Sequence, residues 1–347
     1  MVHQLDATSP EPVPGYRVKV LDGDHLAATE HRILPTRTTR AASLPGQALV
    51  ALDPATMPAI DAAPCEDAHA QERSLIGQVL PGVEGGDLWI ADRNFCTTRF
   101  LFGVRARRGC FLVRQHQSTL RWEAITPWND VGRVVTGFVQ HQVIRVTEVD
   151  GDGVMELRRI RLPLDRPTRG KGTELSLLTN LPQEDADALL LAETYRRRRT
   201  LENVFQSLTE ALNREVNTLA YPKAAWFGFC VASVAYNVLA VIRAALRSEH
   251  GRDEVEAKAS NYHLVREVAT TYSGMMIAIP PAEWAIVQGL SVGEMAESLR
   301  EAASPAWLAK YPRTKRGPKE PRPKRTSGKI NDHVATARLL NEQVQQK

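Results

Sequence analysis

Cysteine is scarce and without pattern: Cys65, Cys96, Cys110 and Cys230 form no CxxC pair and have no histidine partners at zinc-finger spacing. A disulfide framework and a structural zinc are therefore excluded as organising devices, and a reducing cytoplasm suits the chain. Residues 1–16 contain no apolar run of secretory-signal type, so no export signal is expected. Positive charge is thin at the start: residues 1–95 carry 13 acids against 7 Lys and Arg, which leaves the rest of the chain at +10 within a net charge of +4. A few early acids set in a basic surface suit a protein that faces a polyanion, although solvated faces vary in charge for no such reason. What the chain does have is length and apolar content, 347 residues of which 43% are hydrophobic and 24% charged, enough for one large or two moderate globular domains with disorder confined to the ends.

Residues 16–26 (YRVKVLDGDHL) alternate as a strand does, and residues 47–52 and 57–62 add two short apolar runs, which together predict a three-stranded meander. Residues 68–80 have helical spacing, residues 87–91 (DLWIA) form a compact buried-strand run, residues 97–107 read as a second helix and residues 109–114 as another strand. From Ser118 to about Leu164 the pattern is β-rich, with DGDG at 150–153 as a hairpin turn, since the later ligands of a calcium loop are missing. A strand-like run at 174–181 leads into a long helix from Gln183 to Leu219. The expected organisation is a disordered 1–15, a core in two parts (16–117 and 174–222), a β-rich insertion (118–173), a helical region (223–308) and a basic tail (309–347). Residues 224–242 hold no charge over 19 positions, long enough for a membrane span, but Asn237 and the basic sequence on either side favour a helix buried in the protein. Lys310 to Lys329 carry nine Lys and Arg, four prolines and one acid, an extended segment suited to phosphates or to solvent.

Asp22 and Asp92 stand at the ends of two predicted strands, and Glu202 stands on the long helix. Two strand-end carboxylates and one helical carboxylate are what a pair of magnesium ions about 3.5–4 Å apart requires for in-line phosphoryl displacement, and manganese would substitute. Asp-Gly at 22–23 also suits a hairpin turn, and Asp92 also suits a helix N-cap. At about 100° per residue Tyr195, Arg198, Glu202 and Thr209 fall inside one arc of about 60°, beside an apolar stripe that includes Leu201, Phe205 and Leu208. Arg196 and Arg199 point to solvent on this wheel, where they would meet DNA backbone or water, whereas Arg197 falls on the apolar side.

These stretches resemble the DDE transposases of the bacterial IS-four class. Asp22 in VLDGDHL is similar to the family's first-aspartate strand, Asp92 in IADRNF to its D-R-x-F segment, and Tyr195, Arg198 and Glu202 to its Y-x2-R-x3-E signature. LLTNLP at 177–182 is similar to the run into that helix. The resemblance implies a ribonuclease H-like α/β fold, a mixed sheet flanked by helices with an inserted β-rich subdomain and a helical C-terminal part. It also implies cut-and-paste chemistry on double-stranded DNA with Mg2+, by a homodimer on the DNA without stable membrane association. Tyr195, Arg198, Arg196, Arg199 and Arg93 would contact DNA, and Trp122 or Trp128 would meet a flipped base or else pack the insertion. Two departures stand out: Thr209 replaces a lysine of the signature, and only about 20 residues precede Asp22. They raise the alternative of a shortened, catalytically silent DNA-binding remnant that inhibits a full-length relative. A membrane-associated protein anchored by residues 224–242 is the weaker alternative.

Overall fold

Period-two burial builds the centre of the molecule. In the computed structural model, which describes residues 1–6, 11–26, 43–116, 118–149, 151–165, 167, 172–198, 221–313 and 334–345, the strands are β1 (Arg17–His25), β2 (Ser43–Leu44), β3 (Gln47–Leu52), β4 (Ala59–Cys65), β5 (Asp87–Ala91), β6 (Cys110–Arg114), β7 (Arg121–Ala124), β8 (Asn129–Val134), β9 (Gly137–Thr147), β10 (Val154–Pro163), β11 (Glu174–Thr179) and β12 (Val334–Ala335). The helices are α1 (Val2–Leu5), α2 (Ile76–Val79), α3 (Thr98–Ala106), α4 (188–198), α5 (Pro222–His250), α6 (Arg252–Lys258), α7 (Asn261–Ala278), α8 (Ala285–Gln288), α9 (Val292–Ala303) and α10 (Thr336–Gln345).

One ten-stranded sheet runs in the order β4-β3-β1-β5-β6-β11-β10-β9-β7, with β8 on β9. The meander β1-β3-β4 is antiparallel, β5 and β6 run parallel to β1, and β11 returns antiparallel on β6. The parallel strands β5 and β6 are joined by α3, whose start Thr97 caps by accepting the Phe100 N–H. At the centre of the sheet both faces are buried, so every position of β5 is buried and it reads as an apolar run from Leu88 to Ala91. One face, with Leu21, Trp89, Phe111 and Leu178, packs on α3 through Phe100, Leu101 and Val104. The other, with Val20, Ile90, Leu112, Ile160 and Leu177, packs on α4 through Leu191, Ala192 and Tyr195.

The β-rich stretch joins this sheet: β10 pairs with both β9 and β11, so its strands continue hydrogen bonding outward from β6. Gly137 is required where β9 begins, because a Cβ there would lie 2.0 Å from the Pro163 carbonyl oxygen. Residues 68–80 differ from the single helix expected. Glu72–Leu75 and Leu80–Gly82 are 3-10 turns around the one-turn α2, with Gly77 inside and Pro81 at its end limiting helix propagation. The long helix also begins later than expected, at 188, and the expected extent beyond 198 lies outside the described residues. In the segment read as a disordered N-terminus, Leu5 and Val13 are buried, and Asp6 lies 3.6 Å from Arg247. Leu5 joins a C-terminal core with Leu239, Leu246, Val255 and Leu264.

The apolar stretch 224–242 lies within α5, a helix long and apolar enough by composition to cross a membrane. Among the described residues one side is covered, so the helix is partly buried and not enclosed as expected: Ala225, Tyr236 and Leu239 are buried, whereas Phe227, Val231, Val234 and Val238 are exposed. Asn237 explains the polar interruption, because its carboxamide hydrogen-bonds the backbone of Ala59 on β4. Of the basic tail, residues 314–333 lie outside the described ones, while β12 pairs with β2 and leads into α10.

Candidate active site

Register brings the first two acids together. Leu21 pairs with Ala91 and Ala91 with Val113 across the parallel strands β1, β5 and β6. One position further on, these three strands present Asp22, Asp92 and Arg114 in a row. By strand alternation all three share the face of Val20, Ile90 and Leu112, the face covered by α4. Asp22 and Gly23 lie inside β1, not in a hairpin turn. Asp92 is extended (φ −79°, ψ −176°) and does cap the short 3-10 turn that follows, its Oδ1 accepting the Asn94 N–H at 2.7 Å. Capping and metal binding are compatible for a carboxylate, which has lone pairs on two oxygens.

Helix α4 closes the site from above. Tyr195 is buried in the core beneath it, and the Arg198 guanidinium donates to Asp22 Oδ1 at 2.8 Å, with side-chain exposures of 10% and 21%. Burial pushes the Tyr195 hydroxyl up to about 12; Arg198 and Arg114 act to lower it, and Asp92 and Asp22 to raise it. The phenol therefore sits within the field of all four charges and remains protonated at neutral pH, a hydrogen-bond donor. Arg196 is exposed and forks onto Glu193 one turn back, at 3.0 and 3.1 Å from Nε. Arg197, expected on the apolar side, is exposed, because α4 presents Thr194, Tyr195 and Arg198 inward instead. Arg93 is exposed beside Asp92. Glu202, Thr209 and Arg199 lie outside the described residues.

Among the described residues no group of three or more His, Cys, Asp or Glu is placed to hold a metal ion. The two aspartates supply hard carboxylate oxygens of the kind Mg2+ takes, and such an ion keeps several waters, so the donor chemistry fits a magnesium site completed from elsewhere.

Trp122 lies on the outer strand β7, and Trp128 lies in the connection just before β8. Arg159 of β10 lies over both, 4.6 Å from the Trp122 ring and 5.0 Å from the Trp128 ring, and its Nε donates to Gln115. Trp122 is exposed and Trp128 half-buried, so neither fills the core. Sequence reasoning passed over two residues. Arg114 was detectable from register, as the strand-end neighbour of Asp92. Arg158 shares strand parity with the buried Ile160 and Leu162, a cue that it points inward, and it is buried. Its Nη1 donates to the carbonyls of Leu181, Pro182 and Ala186 at 3.1, 3.0 and 2.8 Å, tying β10 to the segment that enters α4.

No curated protein matches the chain. Among solved structures, the chain is similar to that titled "Cryo-EM structure of piggyBac transposase synaptic complex with hairpin DNA (SNHP)", with a TM-score of 0.44, 12% identity and coverage of 89% of this chain. The match spans 60% of that protein's chain. The family model described as transposase DDE domain matches residues 14–238, a range that takes in the strand row of Asp22 and Asp92 and the helix carrying Tyr195 and Arg198. The chain thus belongs to the transposase DDE domain family.

Proposed function

We propose that the protein is a DNA transposase of the IS-four class with a ribonuclease H-like core, which cleaves double-stranded DNA and transfers strands at the ends of a bacterial insertion sequence. The observation that carries this reading is the placement of Asp22 and Asp92 side by side on parallel strands beneath Tyr195 and Arg198. The antiparallel meander followed by two parallel strands supports the ribonuclease H-like assignment. Asp22, Asp92 and Glu202 would hold Mg2+ or Mn2+, which supplies Lewis-acid activation of the attacking and leaving oxygens. Tyr195 offers a neutral hydroxyl to a phosphate, and Arg198 and Arg196, with Arg199 and Arg93, offer charge-assisted donors to the DNA backbone. Trp122 and Trp128 present indole surface to a base near the cut. A homodimer would pair two element ends.

The test is nicking of supercoiled plasmid, and of duplexes made from the DNA that flanks the gene, in Mg2+ or Mn2+. Wild-type nicking that is lost in Asp22→Ala, Asp92→Ala and Glu202→Ala, with DNA affinity retained, supports the enzyme. Binding without nicking by the wild type would instead identify a silent remnant, and a fully active variant would remove that residue from the site.

A further inference from the structure

We infer that Arg158 and His141 form an enclosed site for a small monovalent anion such as chloride, on the sheet face that α4 covers, and that the ion steadies the chain entering α4. The inference stands apart from the proposed activity and begins with the unequal use of one guanidinium. Arg158 is buried, at 8% exposure, and its Nη1 alone donates to the carbonyls of Leu181, Pro182 and Ala186. Nε and Nη2, the edge of a guanidinium whose parallel N–H groups fork onto an anion, are buried and have no hydrogen-bond partner. His141 stands next to it. In the antiparallel pairing of β9 and β10, Val143 lies opposite Arg158 and His141 opposite Ile160, which makes His141 the diagonal neighbour of Arg158 on the same face. Its Nε2 is likewise buried without a partner.

Charge decides the ligand. Asp187 and Glu184 act on Arg158 through space, without a bond, and both are exposed to solvent. Arg145 and Glu156, further along the same face, bond to each other, and Arg145 also bonds Glu123. A buried cation left without a contacting counter-charge is costly, and a water would fill the donors without supplying the charge. A small anion does both, accepting from the guanidinium fork and from the Nε2–H tautomer of a neutral His141. A sulfate or phosphate brings more charge and more acceptors than one guanidinium and one neutral imidazole can match. The carbonyls held by Nη1 belong to the segment that enters α4, so an ion on the opposite edge of the same group fixes that approach.

The experiment places the full chain in sodium chloride, bromide or gluconate at one ionic strength and follows thermal denaturation and the magnetic resonance line width of chloride. Chloride and bromide should raise the melting temperature by about 2 °C over gluconate, and the protein should broaden the chloride line. Arg158→Lys, which keeps the charge and loses the fork, should bind chloride about tenfold more weakly, and His141→Leu about threefold more weakly. Hydrogen exchange in residues 181–187 should slow in chloride relative to gluconate. A melting temperature and a line width indifferent to the halide overturn the site and leave a hydrated guanidinium in its place. Chloride binding undiminished in folded Arg158→Lys and His141→Leu puts the ion elsewhere and overturns the assignment, and binding without slower exchange overturns the steadying role.

Discussion

Asn237 grips the backbone of Ala59 with both ends of its carboxamide: Nδ2–H donates to the Ala59 carbonyl and Oδ1 accepts the Ala59 N–H, each at 2.8 Å. The pair mimics a strand partner for β4, the edge of the sheet on that side, and pins an otherwise apolar helix to it. Asn237→Leu raises the hydropathy of α5 yet removes both bonds and strands two backbone groups. The expected loss is about 1–3 kcal/mol, read as a shift in urea midpoint at unchanged m-value. An unshifted midpoint would show that the amide contributes nothing to docking.

Arg158 joins the outer strands to the approach of α4 through three carbonyls. Burial holds its guanidinium below the usual arginine range, with Asp187 and Glu184 acting in the opposite sense. Arg158→Met keeps most of the apolar stem and deletes the donors, so it should cost about 2–3 kcal/mol. Hydrogen exchange should quicken first in residues 181–198; faster exchange confined to β9 and β10 would contradict the clamp.

His141 supplies a pH signature. Burial, and secondarily the charge of Arg158, lowers its pKa from the ordinary 6.5. Above pH 6.5 the imidazole is neutral in both folded and unfolded chains and its contribution to stability is complete. As pH falls below 6.5 the unfolded chain takes up a proton that the fold resists, and stability declines until the depressed folded pKa is passed. Urea midpoints measured from pH 7.5 down to 5 should therefore fall, and less steeply in His141→Gln. Parallel profiles for the two proteins would remove His141 as the cause.

Asp92 carries two roles that one substitution separates. Asparagine caps a helical turn about as well as aspartate, so Asp92→Asn should keep stability within about 0.5 kcal/mol and preserve the bond from Asn94. Loss of the anionic metal ligand should slow nicking about a thousandfold, the rate equivalent of several kcal/mol of lost activation. Thermal denaturation and plasmid nicking on one preparation check both halves; a variant that unfolds early would show that the cap needs the charge.

Local pattern carried much of this protein. Alternation placed β1, β3, β5, β6 and β9 to β11 close to where they lie, because a strand with a buried face leaves a period-two mark. The same pattern put Asp92 just past a strand end, whereas Asp22, expected at one, lies inside β1; helical periodicity put Tyr195 and Arg198 on one row bordering the apolar face, and the structure buries both. Helix strength at residues 68–80 was overread, since Gly77 and Pro81 outweigh apolar spacing in so short a segment. The partnerships belong to tertiary structure alone. That Arg198 meets Asp22 across 176 residues, that Arg114 stands beside Asp92, that Arg158 turns inward to three carbonyls and that Asn237 finds Ala59 all depend on strand order and register. Those are settled when both faces of the sheet are covered, because only then does slipping one residue expose an entire apolar set to water.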